Sequence, residues 1–298
     1  MNQYFKEFIN DLEFDKEQVH NNLMFIPITL SKKHDFDFLS LNKAFEEGLV
    51  EVKELDDDGS VPEVKVYNKS EQFLIIFDGE HLIGAKQNRI VNKTIIINPF
   101  SEIVVPVSCT EAGRWHHTTE GFSKSKYNAP MKMRKASKQG EDSQSEVWDH
   151  VASTIRFAGS DSPTSSLHQV FEEMSPGFDD YREKITRLPS QVGVIIYVNG
   201  VFSGLDIVSD TDLFSDLYEN LMNSYLLESL EKSDENRVEN NSQNLTKEIL
   251  DELIHSRLTK GESIGVERRE NIKGKQTSGE FVSFNKVPIH LALFHNQD

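Results

Sequence analysis

The chain has 298 residues, 37% of them hydrophobic, and a formal net charge of -17. That is apolar matter enough for a sizeable core, which excludes global disorder, and negative charge enough to disfavour general binding to nucleic-acid backbones. The single cysteine, Cys109, excludes an internal disulfide and a cysteine-rich zinc site.

The first residues, "MNQYFKEFINDLEFDKEQ", carry acids throughout and lack the apolar centre of a secretory signal. No apolar run along the chain reaches membrane-spanning length. The expectation is a soluble, cytoplasmic protein without a membrane partner. "QYFKEFINDLEF" has the apolar spacing of a short amphipathic helix, and "NLMFIPITL" (22–30) reads as a strand. "LSLNKAFEEGL" (39–49) reads as a helix with Gly48 at its C-terminal end. "VEVKEL" and "VPEVKVYN" flank the acidic tip "DDDGS" and predict a hairpin. Three adjacent aspartates lack the alternating spacing of a calcium loop, so the tip reads as a solvated turn.

Strand-like runs then follow at 72–77, 80–85, 92–98 and 102–108, and predict an antiparallel meander. The first two are joined by Asp78-Gly79, a hairpin signal. "VIIYVNGVFSGL" (194–205) has the same layout as "LIIFDGEHLIGA" (74–85) and predicts a second hairpin, 193–198 with 201–207. "EFVSFNKVPIHLALF" (280–294) predicts a third. Between these units "SEVWDHVASTIRFAG", "SLHQVFEEM", "TDLFSDLYENLMNSYLLESLEK" (211–232) and "LTKEILDELIHSR" have helical periodicity, with Thr211 placed to cap the third. "SDENRVENNSQN" is a polar break. Strands and helices fall in blocks, which points to an α+β fold: largely antiparallel sheet built from hairpins or a meander, with helices inserted between the strand blocks.

Two polar clusters interrupt the apolar runs. "GEHLIGAKQNR" ends in Lys86, Gln87, Asn88 and Arg89, and "CTEAGRWHH" holds Glu111, Arg114, Trp115, His116 and His117. Arginine suits forked recognition of phosphate or carboxylate, and Gln and Asn add orienting donors and acceptors. A meander brings the two clusters to one cavity. There, Lys86, Arg89 and Arg114 would hold an anion, Trp115 would stack on a base, Glu111 would act as acid, base or ribose ligand, and His116 would assist proton transfer. Gln87 and Asn88 complete the ligand-binding set. Adjacent histidines on a strand point to opposite faces, so no shared metal is expected. The same residues also suit a salt-bridge network that only locks the fold, and both readings stay open. Between Gly121 and Gly140 there is no acid, but there are Lys124, Lys126, Lys132, Arg134, Lys135 and Lys138. Residues 121–146 therefore read as a flexible basic loop, either solvated or holding a phosphate-bearing ligand. No phosphate-cradling glycine loop, dinucleotide fingerprint, nucleophile elbow or zincin motif is present.

"GEHLIGAKQNR", "IVVPVSCTEAGRW", "VGVIIYVNGVFSGLDIV", "GVERRE" and "VPIHLALF", in this order, resemble the ARPP domain family. The family's name describes its members as associated with ADP-ribosylglycohydrolase and rhodanese-phosphatase proteins. The resemblance runs from about Asn22 to Phe294 and implies a single domain over 1–298. By association it implies a nucleotide-derived small-molecule partner such as ADP-ribose or an NAD derivative. It implies no reaction and no cofactor. Arg269, within "GVERRE", is a further candidate ligand contact. A non-catalytic accessory or scaffold protein is the alternative.

Overall fold

The computed structural model describes residues 3–32, 34, 36–56, 62–138, 143–232 and 242–296. The largest sheet among them runs in the order Leu12–Phe14, Leu23–Leu30, Gly193–Val198, Val201–Val208, Val287–His295, Thr277–Phe284, Arg268–Lys273, Arg257–Lys260, with Gln18–His20 also paired to Leu23–Leu30. All of its pairs are antiparallel. Its central strands read as unbroken apolar runs because both faces are covered, so the two-residue alternation sends side chains into two different cores. Phe25, Val194, Ile196, Val208 and Phe294 face a core shared with the helices Ser143–Ala158, Leu167–Met174 and Thr211–Glu231. Met24, Ile26, Ile195, Leu205, Leu291 and Leu293 face a second core under the helices Gln3–Asn10 and Ser242–His255.

A third core lies between two smaller sheets. One runs Phe122–Asn128, Glu80–Gly84, Arg89–Val91, Glu102–Cys109, Glu63–Asn68, Val50–Glu54. The other pairs Phe73–Ile76 antiparallel to Ile95–Ile97 and parallel to Phe38–Ser40. The fold is α+β with mostly antiparallel sheet, as the block pattern predicts.

The hairpins divide. Residues 193–198 and 201–208 pair around Asn199 and Gly200, whose φ values of 54° and 78° are those of a tight turn matched to strand twist. The similar stretch 74–85 does not make a hairpin, and the predicted meander is corrected. Asp78 lacks the positive φ that such a turn needs in its first central residue, while its carboxylate is bound to Arg134 and its amide donates to the Thr94 hydroxyl. The turn therefore delivers Phe73–Ile76 and Glu80–Gly84 to different sheets. The chain returns to the second of them at Arg89–Val91, and Ile95–Ile97 returns to the first.

Further boundaries move. The expected helix over 39–49 begins as a strand, Phe38–Ser40, because Ser40 caps the helix Leu41–Glu46 by accepting from Lys43 N. Gly48 follows at φ 69°. The long helix is capped by Asp210, not Thr211: its carboxylate accepts from Asp212 N and Leu213 N at 2.9 and 2.8 Å. The 121–146 stretch is not a loop over its described part. It forms the strand Phe122–Asn128, the helix Met131–Ala136 and the start of Ser143–Ala158. Its cations are drawn to acids and carbonyls elsewhere in the chain: Lys124 to Glu46, Lys132 to Glu231, Arg134 to Asp78 and Asp206, Lys138 to Asp78 and Glu280. Most of the acidic hairpin tip (57–61) and of the polar break (233–241) lies outside the described residues. No helix among the described residues is long and apolar enough to cross a membrane.

Candidate functional site

The two polar clusters meet because Arg89 and Cys109 are cross-strand partners. The turn 85–88 and the exit 110–115 therefore leave neighbouring strands at the same place. Gly84 has φ 117°, and an added Cβ would stand 2.3 Å from the Thr119 hydroxyl oxygen. Only glycine admits that contact, in which Thr119 Oγ1 accepts from Ala85 N at 2.9 Å. The expected close approach at Gly84 is thus made by the chain itself. Gly113, the glycine of the Glu-x-Gly-Arg-Trp run, lies against the backbone of Thr164, where a Cβ would come within 2.9 Å of its Cα. Gly113 N donates to Thr164 O at 2.9 Å, which fixes the exit to the loop before the helix Leu167–Met174.

Glu111 and Arg114 form the clasp of this corner. Arg114 Nη2 donates to Glu111 Oε2 at 2.6 Å, to Asn88 Oδ1 at 3.2 Å and to Gly84 O at 3.3 Å. Its Nη1 donates to Ala85 O at 2.7 Å, to Thr118 Oγ1 at 3.1 Å and to His116 O at 3.2 Å. Glu111 accepts also from Thr164 Oγ1 at 2.7 Å and from Asn88 N at 3.2 Å, and its carbonyl takes Gln87 Nε2 at 2.8 Å. Burial works to raise the Glu111 carboxyl, but the bonds from Arg114 and Thr164 outweigh it and hold the group below its usual value. Glu111 is accordingly an engaged carboxylate of low basicity, poorly matched to proton transfer near neutral pH.

Arg89 is fully buried. It donates to Cys109 Sγ at 3.2 Å and reaches Glu54 at 3.5 Å, while Lys86 N donates to the other oxygen of Glu54 at 3.1 Å. Gln87 also contacts Cys109 Sγ. Burial pushes the Cys109 thiol up to about 11, so it is protonated and a poor nucleophile at physiological pH. Trp115 is the exception to this burial: it is 46% exposed, with Lys86 Nζ 5.4 Å and Arg89 Cζ 5.6 Å from its ring centroid. His116 and His117 are exposed beside it, on irregular chain and not on a strand. Lys86, Gln87, Asn88, Arg89, Glu111, Arg114 and Trp115 are thus together as expected, but through the Arg89–Cys109 pairing and not through the predicted meander, and only Trp115 and the histidines present themselves to solvent.

Arg269 is elsewhere. It donates to Glu280 at 2.6 Å, to Thr94 O at 2.5 Å and to Glu262 O at 3.1 Å, within a second buried polar cluster. The centre of that cluster is Arg134, which forks onto Asp206 at 2.7 and 2.8 Å and onto Asp78 at two distances of 3.1 Å. Tyr225 donates to Asp206, and His290 bridges Thr94 Oγ1 at 2.8 Å and Asp206 Oδ1 at 3.3 Å. Burial opposes ionisation of both aspartates, but Arg134 prevails and keeps both carboxyls below the usual range. The sequence reading assigns Asp78 to a turn and Arg134 to a basic loop, and joins neither to Asp206, Tyr225 or His290. The signal was present as lone ionisable residues inside apolar runs, Asp206 in "SGLDIV" and His290 in "VPIHLALF". Such residues need buried partners.

Among the described residues no group of three or more His, Cys, Asp or Glu side chains is arranged to hold a metal ion. A family model described as the ARG and Rhodanese-Phosphatase-superfamily-associated Protein domain, ARPP-1, matches residues 11–294. No curated protein and no solved structure matches the chain.

Proposed function

The chain belongs to the ARPP-1 family, and from that premise we propose that it binds a nucleotide-derived small molecule, ADP-ribose or an NAD derivative, at the Trp115 corner. The observation that carries the reading is the Trp115 indole, nearly half exposed and flanked by the Lys86 ammonium and the Arg89 guanidinium. Large aromatics are normally covered, and an exposed indole held against cations is a platform on which a base can stack. The positive charge of Lys86 and Arg89 then favours a diphosphate beside it. Arg89, Gln87, Asn88, Glu111 and Arg114 are too buried to touch such a ligand and act by holding the platform. His116 and His117 are the side chains free to contact it. The engagement of Glu111 favours a binding role over acid–base chemistry. The family's name, with its link to ADP-ribosylglycohydrolase proteins, supports the choice of ligand by association.

A second reading is a scaffold in which the corner only locks the fold, and it is favoured by the six acceptors that occupy Arg114. A thermal-shift titration with ADP-ribose, NAD and AMP separates the two. Binding to the native state raises Tm with ligand concentration. The binding reading expects such a shift with at least one of these ligands, and its loss in Trp115→Ala with apo Tm nearly unchanged. No shift with any of them leaves the scaffold.

A further inference from the structure

We propose a second anion site, for a phosphate-bearing small molecule, in the cleft between the helix Met131–Ala136 and the outer strands of the nine-stranded sheet. The cleft holds about 570 Å³ and is lined by Lys135, Lys138, Lys273, Asn271, Ser278 and Glu280 among others. It shares no residue with the Trp115 corner. That volume is in the range of small-molecule sites.

The register shows how the sheet builds it. Arg257 pairs with Lys273, and Thr259 with Asn271. Lys273 pairs in turn with Ser278, and Asn271 with Glu280. Because side chains alternate, Arg257, Thr259, Arg269, Asn271, Lys273, Ser278 and Glu280 share one face. The opposite face carries Leu258, Ile272 and Phe281 into the core beneath Ser242–His255. The polar face therefore holds three cations and one acid, with Lys273 in the lining of the cleft and Arg257 beside it as its cross-strand partner. Its acid, Glu280, is claimed by Arg269 at 2.6 Å and by Lys138 at 3.2 Å, and these two cations are met also by Glu267 at 3.5 Å and Asp78 at 3.0 Å, which leaves Arg257 and Lys273 as the cations of this face that no acid pairs among the described residues. From the helix side Lys135 adds a further cation, donating to His295 O at 3.1 Å. Among the described residues no ion pair engages Lys135, Arg257 or Lys273.

Like charges placed directly opposite on neighbouring strands are unfavourable, and Arg257 against Lys273 is such a pair, at the sheet's outer edge. In a chain of net charge -17 this grouping of cations is local, and it favours an anion over a cation at the cleft. Thr259, Ser278, Asn271 and Asn296 supply hydroxyl and amide groups around it. Several ammonium groups with hydroxyl and amide donors suit phosphate oxygens. The walls on two sides favour a compact phosphate ester or diphosphate over an extended polyanion.

The probe is inorganic pyrophosphate, titrated calorimetrically into the full chain at about 0.15 M salt, where exposed charges are screened beyond roughly 8 Å. The expected result is saturable binding that the double variant Arg257→Gln, Lys273→Gln weakens at least about tenfold, since a lining ammonium and the guanidinium beside it are lost. The same variant should keep or raise the apo Tm, because the like-charge pair is relieved. The absence of saturable binding by the wild-type chain overturns the proposal. Unchanged affinity in the double variant also overturns it, because the anion then sits elsewhere. Steeply salt-dependent binding of single-stranded DNA without pyrophosphate binding overturns it in favour of a polyanion surface.

Discussion

At the scale of single residues, protonation separates groups that look alike in the sequence. Burial pushes the Glu80 carboxyl up to about 8, against the hydrogen bond it accepts from Phe77 N at 2.6 Å. The folded chain then keeps a proton that the unfolded chain releases above its ordinary value of 4.5. Stability contributed by the protonated group is present at low pH and is lost as pH rises toward 8, by up to about 1.4 kcal/mol per pH unit. Glu80→Gln, which keeps a carbonyl acceptor without the charge, is expected to flatten that decline and raise stability at pH 7.5, as read from urea denaturation across pH. His81 works in the other direction. Burial pushes it down to about 3 from an ordinary 6.5, so stability is lost as pH falls through that window. Arg114→Ala removes one half of a buried ion pair and leaves the Glu111 carboxylate without its cation. The expected cost is about 3 kcal/mol or more in chemical denaturation, and the milder Glu111→Gln should cost less because a neutral acceptor remains.

At the scale of elements, the cap of the long helix gives a clean test. Asp210 accepts from two first-turn amides, whereas Thr211 is the first helical residue. Asp210→Ala is expected to destabilise by about 1 kcal/mol, and Thr211→Ala by far less, in equilibrium denaturation. The sequence pattern points to Thr211, one residue late, because both neighbours are good caps and only the backbone geometry chooses between them. The strand blocks were readable because β-branched runs alternate with turn residues, and the helices because their apolar spacing is long and regular. What eluded that reading was the pairing. Asp78-Gly79 and Asn199-Gly200 carry the same turn signal, but only the second closes a hairpin. The first aspartate is held by Arg134, 56 residues away in the chain. The basic stretch 121–146 failed for the same reason: its lysines and Arg134 look solvated until the acids they meet are placed in space.

At the scale of the whole molecule, the Arg134 cluster ties the sheets together. Asp78 comes from the turn between the two smaller sheets, Asp206 and His290 from the large one, and Tyr225 from the long helix. Arg134→Met strips the cation from two buried carboxylates and is expected to cost on the order of 3–5 kcal/mol. Adding Asp78→Asn and Asp206→Asn to it should recover part of that loss, because the uncompensated charges go with it. Guanidinium denaturation of the single and triple variants measures both. If the triple variant is no more stable than the single one, the cost lies in lost packing and hydrogen bonds, not in stranded charge.

Local pattern and composition were enough to establish an α+β chain of mostly antiparallel strands and the long helix; the Lys86–Arg89 and Glu111–Trp115 runs do lie together, but by a strand pairing other than the expected meander. The fold class and the helix follow from residues near one another along the chain. Sheet membership, the buried meeting of Arg134 with Asp78 and Asp206, the displacement of Arg269 from the Trp115 corner, and the cation-rich cleft required the tertiary structure. Those contacts join residues far apart in sequence, and a charge carries no local mark of the partner that will neutralise it.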